Sequence, residues 1–187
     1  MRLTKEIFRK KSLQTIKNAK KFNKFYKDAL LQRRLMLQLK QLRGKNILFY
    51  YPLPFEANVI NVMQKMRKNN NIFLPFMEGE SFKMVPFRLP LKKKSFGIFE
   101  ADNSLRDIKK IDIAIVPSIG VDGDLKRVGF GKGMYDRFFA KLKKKPYVIF
   151  VQPELCYTKQ KLCDADDVQA DILMTPRKEI KRRYGYR

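Results

Sequence analysis

Histidine is absent from the chain, and cysteine occurs only twice, at Cys156 and Cys163. Without an imidazole there is no Ser-His-Asp triad, no Cys-His nucleophile pair and no imidazole general base. Two cysteines seven residues apart, with no histidine to join them, disfavour a zinc site and read as reduced thiols of a cytosolic protein. Acids are also scarce, 18 Asp and Glu against 42 Lys and Arg, which leaves a formal net charge of +24. No apolar run approaches the roughly 20 residues that span a bilayer, and Met1 to Lys11 lacks the apolar centre of a signal peptide. A cytoplasmic protein with no membrane partner is expected.

What is present argues for a packed globule. Hydrophobic residues make up 44% of the chain and aromatic residues 12%, far from a disordered composition despite the charge. A length of 187 residues suits one domain, expected over 1–187. The charge concentrates at the start: residues 1–45 hold fifteen Lys or Arg against two acids, Glu6 and Asp28. Such a block could grip nucleic acid, an anionic surface or a polyanionic small molecule, or reflect a lysine-rich composition throughout.

Apolar spacing predicts a helix from Thr4 to Lys20 through Ile7, Phe8, Leu13 and Ile16. A second, longer helix follows, with Phe22, Phe25, Tyr26, Ala29, Leu30, Leu37 and the Leu39 to Leu42 region as its apolar residues and Gly44 as its stop. Strands are expected at Asn46 to Pro52, Asn71 to Phe76, Ser81 to Phe87 (near an edge, because of Pro86), Ile111 to Pro117, Tyr147 to Val151 and Asp171 to Met174. Helical spacing returns from Glu56 through Met66 and again through Tyr135, Phe138, Phe139 and Leu142, and "KKKSFGIFE" reads as a turn with a short extended piece. Strands alternating with helices predict an α/β fold with a mostly parallel central sheet flanked by helices, preceded by the two basic N-terminal helices.

One stretch, "RVGFGKGMYDRFF" from Arg127 to Phe139, carries chemistry. It matches neither the P-loop, since Lys132 is followed by Gly133, nor the dinucleotide fingerprint, whose third glycine would fall at Met134. It lies after a strand's carboxyl end and opens a helix, where open α/β sheets place ligands. Gly129, Gly131 and Gly133 would let the backbone approach an oxyanion, with Lys132 and Arg127 adding charge; a tight strand-to-helix turn would also use them.

"VPSIGVD…RVGFGKGMYDRFF" resembles the signature of the 5-formyltetrahydrofolate cyclo-ligase family, an R-L-G-x-G-K-G-Y-Y-D-R stretch after a V-P-G-x-x-x-D strand end. The family's lysine and arginine four apart near the N-terminus are similar to Lys5 and Arg9. Its Y-x-P-x-x-x-E segment is similar to Tyr51 to Glu56, its G-I-x-E-P to Gly97 to Ala101, and its late H-D-x-x-x-D to Asp166 to Asp171. These cover nearly the whole chain in the family's order. Met134 replaces the first tyrosine of the usual pair, Ala101 a proline and Asp166 the histidine, and Leu125 stands where a glycine is common.

The resemblance implies ATP-dependent closure of 5-formyltetrahydrofolate to 5,10-methenyltetrahydrofolate, with release of ADP and phosphate and with ATP and Mg²⁺ as cofactors; separately, a monomer is expected. It implies Lys132, Arg127 and Tyr135 as catalytic residues. Lys5, Arg9, Gly129, Phe130, Gly131, Lys132, Gly133, Met134, Tyr135 and Asp136 would bind the nucleotide, and Glu56, Met134 and Tyr135 the folate. Asp136 and Asp171 would hold the metal. The basic surface raises the further expectation that polyglutamylated folate is favoured. Two other readings stand beside this one: a nucleic-acid binder using the basic N-terminal helices, and a different phosphate-ligand enzyme on a similar α/β scaffold.

Overall fold

Thr4 is extended, and its hydroxyl accepts the Ile7 N–H at 3.3 Å, so α1 (Lys5–Lys20) starts on a side-chain cap. In the computed structural model, which describes residues 2–93, 99–100, 108 and 110–183, a left-handed Asn23 (φ 50°) then reverses the chain into α2 (Lys24–Leu39). The inward face of α2 is Asp28, Leu31, Leu35 and Leu39, spaced three and four apart. This corrects the expected apolar face. Phe22, Phe25, Tyr26 and Leu37 are exposed, Phe25 at 93%, because the leucine row is the one that meets the apolar side of the next helix.

The remaining elements follow as β1 (Asn46–Leu48), α3 (Ile60–Met66), β2 (Asn71–Glu78), β3 (Ser81–Pro86), β4 (Lys92–Lys93), β5 (Phe99–Glu100), β6 (Ile113–Pro117), β7 (Gly120–Val121), β8 (Arg127–Val128), α4 (Met134–Ala140), β9 (Tyr147–Val151), β10 (Ile172–Met174) and β11 (Glu179–Lys181). Seven strands form one sheet in the order β11-β10-β9-β6-β1-β2-β3. Its five central strands are parallel, and β3 and β11 close the two edges antiparallel. Pro86 does lie on an edge strand, as expected. Of the segment from Gly97 to Ala101, only Phe99 and Glu100 lie among the described residues; they form β5, paired with β4.

Both faces of the central strands are apolar, and alternation divides them. Ile47, Ile113, Ile115, Ile149, Val151, Ile172 and Met174 pack beneath α2 and α3 with Leu31, Leu35, Val62 and Met63. Leu48, Ala114, Val116, Val148, Phe150 and Leu173 point the other way, toward Phe82, Met84 and Phe138 of α4. No helix of the described residues is long and apolar enough to cross a membrane.

The chain after β6 is held by a buried carboxylate. Asp122 is fully buried, and its two oxygens accept four backbone N–H groups: Asp124 and Lys126 on one oxygen, Leu162 and Cys163 on the other, at 2.9–3.0 Å. The loop between β7 and β8 is thereby tied to the segment before β10. Leu125, at the place where a glycine is common in the resembled family, has φ 57°, a conformation that disfavours a side chain. Its burial in the core offsets that strain. We expect Asp122→Asn, which turns an NH₂ toward two N–H donors, to lower unfolding free energy by about 3 kcal/mol in urea denaturation. A loss below about 1 kcal/mol would show that Asp122 does not organise this loop.

Candidate functional site

From β1 the chain runs outward to β2 and β3, then returns to β6 on the other side of β1 and runs outward again through β9, β10 and β11. The two directions part between β1 and β6, and a crevice opens beyond their carboxyl ends, the usual ligand position in open α/β sheets. A cavity of about 450 Å³ occupies it. Tyr50 and Tyr51, just past β1, and Pro117, the last residue of β6, line it from the sheet. Leu53, Phe55 and Glu56 close one side, Pro75, Met77 and Phe82 of the β2–β3 hairpin another, and the stretch from Arg127 to Tyr135 the third.

Arg127 is buried beneath the glycine stretch. Its Nε donates to the Pro117 carbonyl at 2.9 Å, and its guanidinium carbon lies 4.6 Å from the Tyr135 ring centroid, a cation–π contact in a dry setting. The guanidinium passes so close to Gly129 that a Cβ there would lie 2.4 Å from its Nη1, so a side chain at that position would have to push the guanidinium aside. Gly131 (φ 92°) and Gly133 (φ 58°) turn the chain through conformations closed to most side chains, and α4 starts directly after Gly133. From α1, Arg9 donates through Nε to the Gly129 carbonyl at 2.8 Å, so the first helix buttresses the loop. Phe8, one residue earlier, packs on Gly120, where a Cβ would meet its ring at 2.6 Å.

The cavity combines two kinds of lining. The rings of Tyr50, Tyr51, Phe55, Phe82, Phe130 and Tyr135 form an aromatic portion suited to a flat heterocycle, while Lys132 and Arg127 supply positive charge. Tyr50 is buried, and its hydroxyl donates to the Ala57 carbonyl at 2.6 Å, which fixes its ring. Burial pushes the Tyr135 hydroxyl well above its ordinary range against the opposing charge of Arg127, so at neutral pH it stays a neutral donor. Burial also pushes Glu56 up to about 7, although the Leu53 N–H, donated to its Oε2 at 2.9 Å, and the Arg127 charge both work to lower it. Glu56 can therefore present either a protonated or an ionised carboxyl to a ligand near neutral pH.

The structure brings Glu56, Arg127, Phe130, Lys132, Gly133, Met134 and Tyr135 to one cavity, with Arg9 behind the loop. Three expected residues are placed differently. Lys5 is one turn from Arg9, but its ammonium is engaged by Asp164 (3.2 Å) and Asp167, whose hydrogen bonds and charges outweigh burial and hold its pKa above the ordinary value. Lys5 thus ties α1 to the loop before β10 rather than projecting into the cavity. Asp136 lies in the first turn of α4 beside Gly133; its Oδ1 accepts the Val168 N–H at 3.0 Å, leaving Oδ2 on the Gly133 side.

Asp171 stands at the amino end of β10, where Oδ2 accepts the Val148 N–H at 2.7 Å, whereas the cavity lies beyond the carboxyl ends of β1 and β6. The expectation that it joins Asp136 around a metal is corrected on that ground: it caps the sheet at the opposite end. Among the described residues no group of three or more Cys, Asp or Glu converges as a metal site. The Y-x-P-x-x-x-E spacing begins at Tyr50 rather than Tyr51, and both tyrosines line the cavity. Phe55, Phe82 and Pro117 were missed as site residues. Phe55 lay inside a quoted segment, but Phe82 had only the alternation of a strand to mark it.

The 5-formyltetrahydrofolate cyclo-ligase family model matches residues 2–176. The Haemophilus influenzae 5-formyltetrahydrofolate cyclo-ligase is 25% identical over 59% of this chain and 64% of its own length, so the match spans a little under two thirds of that relative. The Mycoplasma pneumoniae 5-formyltetrahydrofolate cyclo-ligase is 27% identical over 70% of this chain and 72% of its own. Among solved structures, the Aquifex aeolicus 5,10-methenyltetrahydrofolate synthetase superposes with a TM-score of 0.78 at 24% identity, covering 99% of this chain and 96% of that one. At that identity the superposition speaks to the fold.

The titration of Glu56 gives a test that needs no ligand. Because its folded pKa is raised, the folded protein retains a proton between about pH 4.5 and 7 that the unfolded chain has released, so stability falls as pH rises through that window. Chemical denaturation of Glu56→Gln should lack this downward slope. An unchanged slope in the variant would assign the proton to another group.

Proposed function

The chain belongs to the 5-formyltetrahydrofolate cyclo-ligase family, and from that premise we propose that it closes 5-formyltetrahydrofolate to 5,10-methenyltetrahydrofolate with conversion of ATP to ADP and phosphate. The observation that carries the reading is a single cavity at the β1/β6 switch point whose lining brings aromatic rings and Glu56 together with Lys132 and Arg127.

The formyl group on N5 is an amide, and its oxygen leaves poorly. In the proposed reaction that oxygen attacks the γ-phosphorus, ADP departs, and the formyl carbon becomes a phosphorylated imidate. N10 then adds to that carbon, the C–O bond breaks with loss of phosphate, and the N10 proton is lost, giving the methenyl bridge. No step requires an imidazole, and phosphoryl transfer depends chiefly on position and charge stabilisation.

This chain's residues suit those demands. Lys132 would neutralise charge developing on the transferred phosphoryl group, and the backbone around Gly129, Gly131 and Gly133 would approach the phosphates closely. Arg127 acts at shorter range: bonded to the Pro117 carbonyl and set over the Tyr135 ring, it would hold Tyr135 toward the reacting atoms. Glu56 would bind the pterin edge, with Met134 and Tyr135 lining the junction of the two substrates. In place of the family's tyrosine, Met134 offers a pliable apolar contact without a hydroxyl.

The donor set of Asp136 fits a magnesium ion shared with nucleotide phosphates, since Mg²⁺ commonly takes one or two carboxylates and keeps its water and phosphate oxygens. When bound there, the ion would supply charge neutralisation at the phosphate oxygens.

The test is absorbance in the methenyl-folate band of acidified samples after mixing the protein with 5-formyltetrahydrofolate and Mg-ATP. ATP-dependent product is expected, with kcat/KM reduced about 10²- to 10³-fold in Lys132→Ala. Wild-type protein that binds ATP and yields no product would overturn the folate chemistry.

A further inference from the structure

We propose that Arg137 is a positioning residue for the nucleotide: its guanidinium bridges the backbone of Lys132 to the turn of the β2–β3 hairpin and so holds the glycine stretch in the shape that receives phosphates. The inference rests on the nucleotide reading of that stretch given above. It gives a role to a residue that does not line the cavity.

Lys132 stands between Gly131 (φ 92°) and Gly133 (φ 58°). Glycine adopts many backbone conformations at little steric cost, so local preference alone does not select the one that carries Lys132. Arg9 secures the Gly129 carbonyl ahead of this pair. Arg137, on α4, secures the carbonyl of Lys132 itself, to which its Nη2 donates. The same side chain donates to the Glu80 carbonyl through Nε at 2.9 Å and through Nη2. Its Nη1 lies 3.0 Å from where a Cβ on Gly133 would stand, so the guanidinium is laid against the turn that opens α4.

Glu80 belongs to the turn between β2 and β3, and that hairpin is anchored to α4 by packing of its own. The Ser81 hydroxyl donates to the Met134 carbonyl at 3.4 Å, and the Phe82 ring stacks on Phe138 at 4.2 Å and meets Tyr135 edge-on at 5.0 Å. Arg137 thus ties the carbonyl of Lys132 to a fixed neighbour. Ordering the loop before a ligand arrives lowers the conformational entropy lost on binding, so the contact strengthens nucleotide affinity without touching the nucleotide. Both of its partners are neutral backbone carbonyls, which makes the planar fork of N–H groups the working feature; a lysine would keep the charge and lose the fork.

The test is titration of a non-hydrolysable ATP analogue, with an NH bridge between the β and γ phosphates, in the presence of Mg²⁺. Arg137 is exposed, so its variants keep the core. Arg137→Ala should bind the analogue about three- to tenfold more weakly than wild type, and Arg137→Lys should be weakened to a similar extent. Because Arg137 acts through Lys132, the double variant Arg137→Ala/Lys132→Ala should lose less than the product of the two single losses. A merely structural role would make the losses multiply. Multiplying losses, wild-type affinity in Arg137→Ala, or full recovery in Arg137→Lys would each overturn the positioning role while the wild-type protein still binds the analogue. Failure of the wild-type protein to bind it would overturn the nucleotide reading, and the role of Arg137 with it.

Discussion

The buried guanidinium of Arg127 is the constraint on which the site depends. A cation removed from water must be compensated, and here the Pro117 carbonyl and the face of Tyr135 do so. Those two partners belong to the end of β6 and the start of α4, so satisfying one charge fixes the strand end, the loop and the helix relative to one another. The same guanidinium lies against Gly129, where a Cβ would displace its nitrogen. One glycine of the loop thus serves the protein's own packing, while Gly131 and Gly133 serve the turn.

Around this centre, three long-range ties assemble the parts that the chain order keeps distant. Asp122 gathers four backbone N–H groups from the β7–β8 loop and the segment before β10. Lys5 pairs with Asp164 and Asp167, and Arg9 holds the Gly129 carbonyl, so α1 is clamped across the loops at two points one helical turn apart. The basic N-terminal segment therefore has structural work close to the site, and several of its cations, Lys5, Arg9, Lys24 and Lys27 among them, are bonded to the protein itself.

Elements with strong local patterns were legible in the sequence. Helix α1, the edge strand β3, and strands β6 and β9 lie where their apolar periodicity placed them, and α4 opens directly after Gly133. Short strands such as β7, β8 and β11 have two or three residues and no period to detect. The inward face of α2 was misread because phenylalanine and tyrosine outweigh leucine in bulk, yet the row spaced to meet α3 is Leu31, Leu35 and Leu39. Within the site, residues of the glycine stretch converge because they are contiguous. Asp171 could not be judged from spacing: its distance from Asp136 in the fold depends on which end of β10 it occupies, a property of sheet direction and not of local pattern.

The cavity joins aromatic walls to a cationic loop, and in the proposed reaction the formyl oxygen of a bound folate and the terminal phosphate of ATP would meet there. The central claim is that this oxygen is phosphorylated and leaves as part of phosphate. The most direct measurement uses 5-formyltetrahydrofolate carrying ¹⁸O in its formyl group, with mass spectrometry of the phosphate released during turnover. Phosphate containing the label is the predicted result. Unlabelled phosphate, with the methenyl product formed at the same rate, would contradict the account.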